Sequence, residues 1–415
     1  MDEDTTKSSF TEYLEGIDSK LLFHTVDRLK LDRYTKKLFT SNLLKLMIYG
    51  QVKQVSSLTD LSLHLNEQDL LKRDIGLPSI STSQLSRRLR DVNPEVFQAV
   101  FTQLVAQILA SVPPKQKREE AKRLCIVDAS TITMCLSTFR WAEFRSTKAG
   151  IKLHQRVVLA DGETLPEKAI LTYARPSDRS RMKELVEVDE DALYLFDRGY
   201  VDYRKFDHYN VTGTRFVTRL KHNARVREVE EERHVDPESK ILRDAIVWLG
   251  HYPGYWMRSK LRLIAVRTED GETIEMLTND LDLDATEIAA LYRRRWQIEL
   301  FFKWIKQHLV IKRWYGTSRF AVYNQVWVAL ITYVLFIGFR RRIKHQGRLL
   351  DVYKGMQHHW DKPLALLIAC LRRRGERTSR GRRVYNVEAI FAYTVWQYEQ
   401  GKADHLDDRT YDPVI

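Results

Sequence analysis

Four residues near position 300 have the types and the spacing to bind phosphate beside a metal ion. Tyr292, Arg295, Glu299 and Lys306 follow one another at steps of three, four and seven residues. At about 100° per residue in an α-helix, these steps place the four side chains within roughly 60° of one another. One helix face would then present a carboxylate among hydrogen-bond donors. The alternative is an ordinary solvated face of an amphipathic helix, and this segment alone does not separate the two.

Two further carboxylates end apolar runs that predict strands. Asp128 follows Leu-Cys-Ile-Val, and Asp197 follows Leu-Tyr-Leu-Phe. A carboxylate in such a place is costly unless it is paired, hydrogen-bonded or bound to a cation. If the two strands are neighbours and the helix with Glu299 packs at their ends, three carboxylates meet around one point. Such a set suits two divalent ions about 4 Å apart, as in phosphoryl-transfer sites. Taken singly, either aspartate could instead cap a local turn.

The elements that must position these residues alternate between strands and helices. The predicted elements are strands at 124–128, 151–159 and 165–173, a helix at 180–188, a strand at 192–196, a helix at 203–209 and a strand at 216–221. Three strands, helix, strand, helix and strand is the chain order of a ribonuclease H-like core. A second group of strand patterns follows before the segment with Glu299.

The chain divides by pattern into five segments. The predicted segments are a helical N-terminal DNA-binding domain at 1–115, the first part of the catalytic core at 116–223, a β-rich insertion at 224–282, the second part of the core with the Glu299 helix at 283–345, and a basic helical region at 346–415. The first boundary rests on the charge-dense, apolar-poor stretch after Pro113 and Pro114. In the N-terminal domain, the stretch Ser81–Arg90 predicts a basic helix with a polar start. A major-groove recognition helix and an ordinary surface helix fit it equally well.

Composition indicates a polyanionic partner. The 415 residues carry a formal net charge of +13, with 68 Lys and Arg against 55 Asp and Glu. Charge alone does not separate DNA from RNA or from an acidic membrane. The three cysteines have neither zinc-site nor disulfide-framework spacing, which favours a reducing, intracellular compartment. The apolar run 326–339 is shorter than a membrane span, so we expect a buried core helix there.

The blocks around Asp128, Asp197-Arg-Gly-Tyr and the Tyr-Arg-Glu-Lys segment resemble the DDE transposases of bacterial insertion sequences, in the insertion-sequence-four family. The resemblance covers about residues 120–340, and the blocks occur in the family's order. It implies an α/β fold whose ribonuclease H-like core, a mixed five-stranded sheet with helices, is interrupted by a β-rich insertion. It also implies cut-and-paste movement of a DNA element.

Carried over residue by residue, the resemblance assigns roles to eight positions. The catalytic and metal-binding residues would be Asp128, Asp197 and Glu299, holding two Mg²⁺ ions for which Mn²⁺ could substitute. The DNA-binding residues would be Tyr292, Arg295, Lys306, Arg219 and Lys221. For Arg295 the chemistry agrees independently, because a planar guanidinium can hold a phosphate through two hydrogen bonds.

The expected partners are double-stranded DNA, as terminal inverted repeats and as target, and a second copy of the chain in the synaptic complex. No membrane partner is expected, and the location would be the bacterial cytoplasm at the nucleoid. Two alternatives stay open from sequence. One is a ribonuclease H-like nuclease without strand transfer, and the other is a non-catalytic DNA-binding regulator.

Overall fold

The computed structural model describes residues 7–111, 123–160, 163–220, 224–250, 255–268, 271–372 and 387–400. The chain divides into two compact units. Unit 1 comprises Met1–Val100, Phe302–Gly316 and Phe320–Ile415, and unit 2 comprises Phe101–Phe301 and Thr317–Arg319. The predicted boundary near residue 115 and Lys221 both lie outside the described residues.

Helices account for most of the described part of unit 1, and shorter ones flank the strands of unit 2. The described α-helices are α1 (Ser9–Leu14), α2 (Ser19–Arg28), α3 (Thr40–Val52), α4 (Leu58–Glu67), α5 (Asp69–Ile75), α6 (Thr82–Asp91), α7 (Glu95–Ser111), α8 (Met182–Leu185), α9 (Tyr203–Thr212), α10 (Ala285–Arg293), α11 (Gln297–His308), α12 (Arg319–Arg342), α13 (Leu349–His359), α14 (Leu364–Arg372) and α15 (Val387–Glu399).

Side chains that cap free backbone groups set the helix ends in unit 1. Ser57 accepts a hydrogen bond from the backbone N–H of Asp60 at the start of α4. Ser81 and Gln84 form a reciprocal capping box at the start of α6. Gly76 ends α5 with a left-handed backbone, at φ 75°, which only glycine adopts without strain. The helix that the sequence predicts at Ser81–Arg90 is confirmed as α6.

Among the described helices, α12 alone is long and apolar enough to cross a membrane by length and composition, yet 94% of its most apolar window is buried. The Tyr13 hydroxyl donates to the carbonyl of Thr332 at 2.7 Å, and the rings of Tyr13 and Phe336 lie 4.6 Å apart. The Asn324 amide donates to the carbonyl of Val92 at 2.8 Å. These contacts make α12 a core helix of unit 1, as its apolar run predicts.

Unit 2 is built on one mixed sheet. Its described strands are β1 (Arg123–Met134), β2 (Glu143–Arg145), β3 (Lys148–Ala160), β4 (Glu163–Tyr173), β5 (Ala192–Phe196), β6 (Arg215–Arg219), β7 (Arg225–Glu232), β8 (Ile241–Gly250), β9 (Leu261–Arg267) and β10 (Thr273–Thr278). Within the described ranges these ten strands run in the order β2-β3-β1-β5-β6-β10-β9-β8-β7, and β4 also pairs with β3. The pairs β1 with β5 and β5 with β6 are parallel, whereas the other pairs are antiparallel.

The five predicted core strands are present as β1, β3, β4, β5 and β6. The sheet does not stop there, because β10 pairs with β6 and carries the insertion strands on as part of the same sheet. Val247 of β8 and Leu261 of β9 belong to the same buried apolar cluster as Val127 and Phe196. The insertion therefore shares both the sheet and the apolar core of the catalytic strands.

The predicted helix at 180–188 is shorter than expected. A 3₁₀ turn at Asp178–Arg181 leads into the single turn of α8, and the chain is extended from Val186. The Tyr194 hydroxyl bonds both the backbone N–H and the carbonyl of Glu187, at 3.2 and 3.0 Å. These tertiary bonds take the place of helical ones, so the helix ends early.

Tyr292, Arg295, Glu299 and Lys306 do not lie on one uninterrupted α-helix, so the helix that their spacing predicts is wrong in this respect. A 3₁₀ turn at Arg294–Trp296 separates α10 from α11. In a 3₁₀ turn each hydrogen bond spans three residues instead of four, which changes the direction in which successive side chains point. No glycine or proline marks the turn in the sequence.

Candidate active site

Asp128 and Asp197 lie side by side where the pairing of two parallel strands ends; β5 stops at Phe196, whereas β1 continues past Asp128 to Met134. The last hydrogen-bonded pair between β1 and β5 joins Val127 to Phe196, and each aspartate is the next residue along its strand. Adjacent strands lie about 4.8 Å apart, so the two carboxylates leave the sheet at neighbouring points. One Asp128 oxygen, Oδ1, accepts a hydrogen bond from the Ala129 N–H at 2.8 Å.

Arg295 connects the third carboxylate to the first. Its Nη2 donates to Oε1 of Glu299 at 2.6 Å, and its Nη1 lies 3.7 Å from Oδ2 of Asp128. The side chains of Asp128, Arg295 and Glu299 are only 20%, 15% and 10% exposed. The guanidinium is thus the positive charge around which these two carboxylates are arranged.

Burial changes the acidity of Asp128. It raises the pKa of this carboxyl to about 7, and the negative charges of Glu299 and Asp197 act in the same direction. The Arg295 charge and the Ala129 N–H oppose the rise without cancelling it. Asp128 therefore responds to the charges of both neighbouring carboxylates.

Tyr292 anchors α10 against the strand that carries Asp197. Its hydroxyl donates to the carbonyl of Phe196 at 3.2 Å, and its side chain is buried. Burial raises the pKa of this phenol well above its ordinary value, so the group is neutral and acts as a donor. In this structure the Tyr292 hydroxyl therefore bonds the backbone next to Asp197.

Two more of the predicted DNA-binding residues, Arg219 and Lys306, lie in the described part of the chain. Arg219 ends β6, where it pairs with Met276 of β10. Its positive charge partly opposes the rise in the pKa of Tyr292 that burial causes. Lys306 is half-buried on α11, seven residues after Glu299. The structure thus brings Asp128, Asp197, Glu299, Tyr292 and Arg295 together, with Arg219 near Tyr292.

Sequence reasoning did not anticipate the ion pair between Arg295 and Glu299. The signal was present, since residues four apart on a helix are neighbours and an arginine and a glutamate at that spacing form a salt bridge. The segment instead suggested that Arg295 would point to phosphate. Its position beside Glu299 makes it the resident counter-charge of the carboxylates.

The donor chemistry of the cluster fits hard divalent cations, which bind carboxylate oxygens. In the described part of the chain, however, no three His, Cys, Asp or Glu side chains converge closely enough to hold a metal ion. The two observations agree if Arg295 supplies, in this structure, the positive charge that cations would otherwise supply.

An α/β fold that brings Asp128 and Asp197, from neighbouring parallel strands, near Glu299 of a helix is an arrangement used by phosphoryl-transfer enzymes. The chain belongs to the family described as the transposase DDE domain, whose model matches residues 119–335. Enzymes of this family use divalent metal ions and cut and join DNA. A second model, for a domain of unknown function, matches residues 5–77.

Proteins of similar sequence are also described as transposases. The transposase y4zB of Sinorhizobium fredii is 32% identical over 60% of this chain and 70% of its own length. A transposase for insertion sequence element IS5377 of Geobacillus stearothermophilus is 28% identical over 63% of this chain and 67% of its own length. The protein is therefore an insertion-sequence transposase.

Among solved structures, a piggyBac transposase in a synaptic complex with hairpin DNA is similar to this chain. The match covers 89% of this chain and 82% of the other, with 9% sequence identity and a TM-score of 0.43. That score is too low to support an argument about the fold.

Proposed function

We propose that this transposase binds the terminal inverted repeats of its insertion sequence, hydrolyses a phosphodiester to expose a 3′-hydroxyl, and joins that end to target DNA. One observation carries the proposal. Asp128, Glu299 and the guanidinium of Arg295 form one largely buried cluster. Asp197 follows the neighbouring strand β5 directly. Partly buried acidic groups gathered beside two interior strands suit chemistry on a phosphodiester better than they suit simple DNA binding.

The three carboxylates would hold two Mg²⁺ ions, or Mn²⁺ in their place. Such ions, when bound, act as Lewis acids that activate an attacking oxygen and stabilise a leaving one. Asp128 must lose its proton to become a ligand, and its raised pKa makes that loss depend on pH near neutrality. Glu299 must also separate from the Arg295 guanidinium so that its oxygens are available to bind an ion.

The protein side chains have their own tasks. Once released from Glu299, Arg295 binds a phosphate of the transposon end through two parallel hydrogen bonds. Tyr292 keeps α10 against Phe196 and so fixes the direction from which Arg295 approaches. Arg219, Lys221 and Lys306 bind further phosphates of the end DNA.

The larger architecture follows the same proposal. The strands β4, β3, β1, β5 and β6 would be a ribonuclease H-like core, and the Tyr-Arg-Glu-Lys segment would place the protein in the insertion-sequence-four family. The chain would comprise the five segments bounded near residues 115, 223, 282 and 345. Two copies would pair two DNA ends in the bacterial cytoplasm, in association with the nucleoid.

The decisive assay combines purified protein, Mg²⁺, a duplex that carries the element's ends, and a supercoiled target plasmid. Joined products are the expected result. Cleavage without joining would indicate a nuclease, and binding without Mg²⁺-dependent cleavage would indicate a regulator. A duplex with scrambled ends reports cleavage that does not depend on the terminal repeats.

Glu299→Gln tests the metal-ligand role. The amide keeps the side chain's shape but removes the negative charge, so we expect cleavage and joining to disappear while end binding changes by no more than a few-fold. Glu275→Gln, the same substitution at an exposed position of β10, should keep full activity. Retained cleavage in the Glu299 variant would contradict the assignment.

A further inference from the structure

Trp141, Tyr173, Arg175 and Arg319 form a surface cluster in unit 2, called here the Tyr173 patch. The rings of Trp141 and Tyr173 lie 6.1 Å apart, and the Arg319 guanidinium lies over the Tyr173 ring at 5.2 Å from its centroid. The Trp141 indole donates to the carbonyl of Thr317 at 2.7 Å, which holds the chain just before Arg319. Tyr173 is 37% exposed and Arg319 is exposed, so the patch faces solvent.

Arg175 brings a second guanidinium to the Tyr173 patch. It follows Tyr173 by two residues, and the N–H of Ala174 between them donates to the carbonyl of Gly150 at 3.0 Å, which keeps this segment beside β3. Arg175 is exposed and forms no ion pair with any residue that the structure describes. Arginine guanidiniums and tyrosine hydroxyls are groups with which proteins bind DNA phosphates. The patch is thus suited to a DNA backbone.

The strand register places the Tyr173 patch on the sheet face of the carboxylates. Asp128 pairs with Gln155 of β3, and four residues earlier on β3, Ile151 pairs with Tyr173 of β4. Directly paired residues point to the same face, and so do residues an even number of positions apart along a strand. Asp128 and Tyr173 therefore share a face. Four residues along the strand and two strands across correspond to about 17 Å between them.

The Tyr173 patch and the proposed end-binding residue Arg219 lie on opposite sides of the carboxylates. Asp128 belongs to β1, and Asp197 follows its neighbour β5. Arg219 ends β6, beyond β5, whereas Tyr173 ends β4, beyond β3 on the other side of β1. Joining requires two DNA molecules at the carboxylates. If the transposon end lies over β6, the side of β4 is left for the second.

We propose that the Tyr173 patch binds the target duplex during joining. The inference rests on the joining reaction proposed above and names the surface that holds its second DNA. At about 3.4 Å per base pair, 17 Å corresponds to about five base pairs, so a target whose reacting phosphate lies at the carboxylates reaches the patch. Arg175, Arg319 and the Tyr173 hydroxyl would contact its phosphates. Trp141 would keep Arg319 in place through Thr317.

Arg204 provides a matched control. It is exposed, and its guanidinium lies over the Tyr255 ring at 5.2 Å from the centroid, the same distance as in the patch. It belongs to α9, whose Phe206 packs in the apolar cluster of Val127. Because Val127 and Asp128 are consecutive on a strand, this cluster lies on the face opposite to Asp128. Replacing Arg204 by alanine therefore removes the same charge and the same kind of ring contact on the other face of the sheet.

The experiment separates joining from cleavage in wild type, Arg319→Ala, Arg175→Ala and Arg204→Ala. Each protein receives either an end duplex whose 3′-hydroxyl is already exposed, with increasing target plasmid, or an uncut end duplex with flanking DNA. The two patch variants should raise the plasmid concentration at half-maximal joining by about 10-fold, because each loses a charged contact to phosphate. Their end binding, cleavage of the uncut duplex and melting temperature should match wild type. Arg204→Ala should match wild type in every measurement.

Joining by both patch variants equal to that of Arg204→Ala at low plasmid concentration would overturn the proposal. Reduced cleavage of the flanked duplex with unimpaired joining would overturn it too, because the patch would then bind flanking DNA and not the target. A joining defect that persists at saturating plasmid would place the fault in the chemistry and have the same effect. Wild-type protein that cleaves but does not join would overturn the joining step of the proposed function, and the role of the patch with it.

Discussion

Asp128 keeps its proton to a higher pH than an ordinary aspartate does, because its pKa is about 7 instead of 3.8. Its pKa of about 7 results mainly from burial, with Glu299 and Asp197 adding to the rise. The positive charge of Arg295 lowers the pKa of Asp128 without cancelling the effect of burial. Cation binding should therefore release protons from the site below pH 7. As pH rises through 7, cation affinity should increase and the number of protons released should fall.

The acidity of Asp128 has a measurable effect on folding. The pKa of Asp128 is about 7 in the folded state against 3.8 for an ordinary aspartate, so the folded protein binds more protons between these values. Its contribution to the free energy of unfolding is therefore present below pH 4 and falls as pH rises toward 7. Asp128→Asn should remove this dependence and stabilise the metal-free protein by on the order of 2–4 kcal/mol at pH 8 relative to pH 4.

Thermal melts of wild type and Asp128→Asn from pH 4 to pH 8, in the presence of a chelator, measure the effect. Asp191→Asn, at an exposed position before β5, is the control for loss of one negative charge. Parallel pH curves for wild type and Asp128→Asn would contradict the raised pKa.

For single residues, the sequence predicts which carboxylates lie close together but not all of the groups that they contact. Asp128 and Asp197 follow apolar runs, and such runs form the parallel strands that bring them together. The sequence does not show whether the Arg295 guanidinium lies closer to the Glu299 carboxylate or to a DNA phosphate, so this ion pair could not be predicted.

Helix α6 separates its arginines into two kinds. Arg88 forms an ion pair with Asp32 and donates to the carbonyl of Leu31 at 2.9 Å, so it holds α6 within unit 1. Arg87 and Arg90 are exposed. The helix therefore has both a structural face and a basic solvent face, which keeps both interpretations of its sequence open.

Arg87→Ala tests whether α6 contacts DNA or is an ordinary surface helix. If α6 contacts DNA, the variant should bind end DNA more weakly and lower the salt dependence of log K by about one, with no change in melting temperature. Arg88→Ala should instead destabilise unit 1 by about 1–3 kcal/mol, because Asp32 loses its partner. Fluorescence anisotropy at several salt concentrations and thermal melts measure the two effects. Unchanged anisotropy in Arg87→Ala would leave α6 as an ordinary surface helix.

Elements were predictable where the pattern is local. The strands β1, β3, β4, β5 and β6 have apolar runs or alternation, and the starts of α4 and α6 have capping residues. The 3₁₀ turn at Arg294–Trp296 has no such signal. The continuation of the sheet from β6 to β10 depends on hydrogen bonds between residues about sixty positions apart, so local patterns do not contain it.

For the whole molecule, the net charge of +13 and the transposase family together favour a DNA complex with two ends. Because both ends of an element must be joined, we expect end DNA to bring two protein chains together. Glu299→Gln prevents cleavage and so preserves the complex for measurement by sedimentation. A mass of two chains with two duplexes is expected, and a scrambled duplex should not produce it. One chain with one duplex at every concentration would contradict the proposed dimer.

The insertion strands and the catalytic strands share one apolar core, and this affects how the gene tolerates change. Val247 and Leu261 are far from the carboxylates along the chain, yet they pack in the same cluster as Val127, the residue before Asp128. A substitution that opens a hole there would reduce the amount of active transposase in the cell without altering its chemistry. Alleles that lose transposition through the insertion should therefore often be suppressed by low growth temperature, whereas alleles at Asp128 or Glu299 should not.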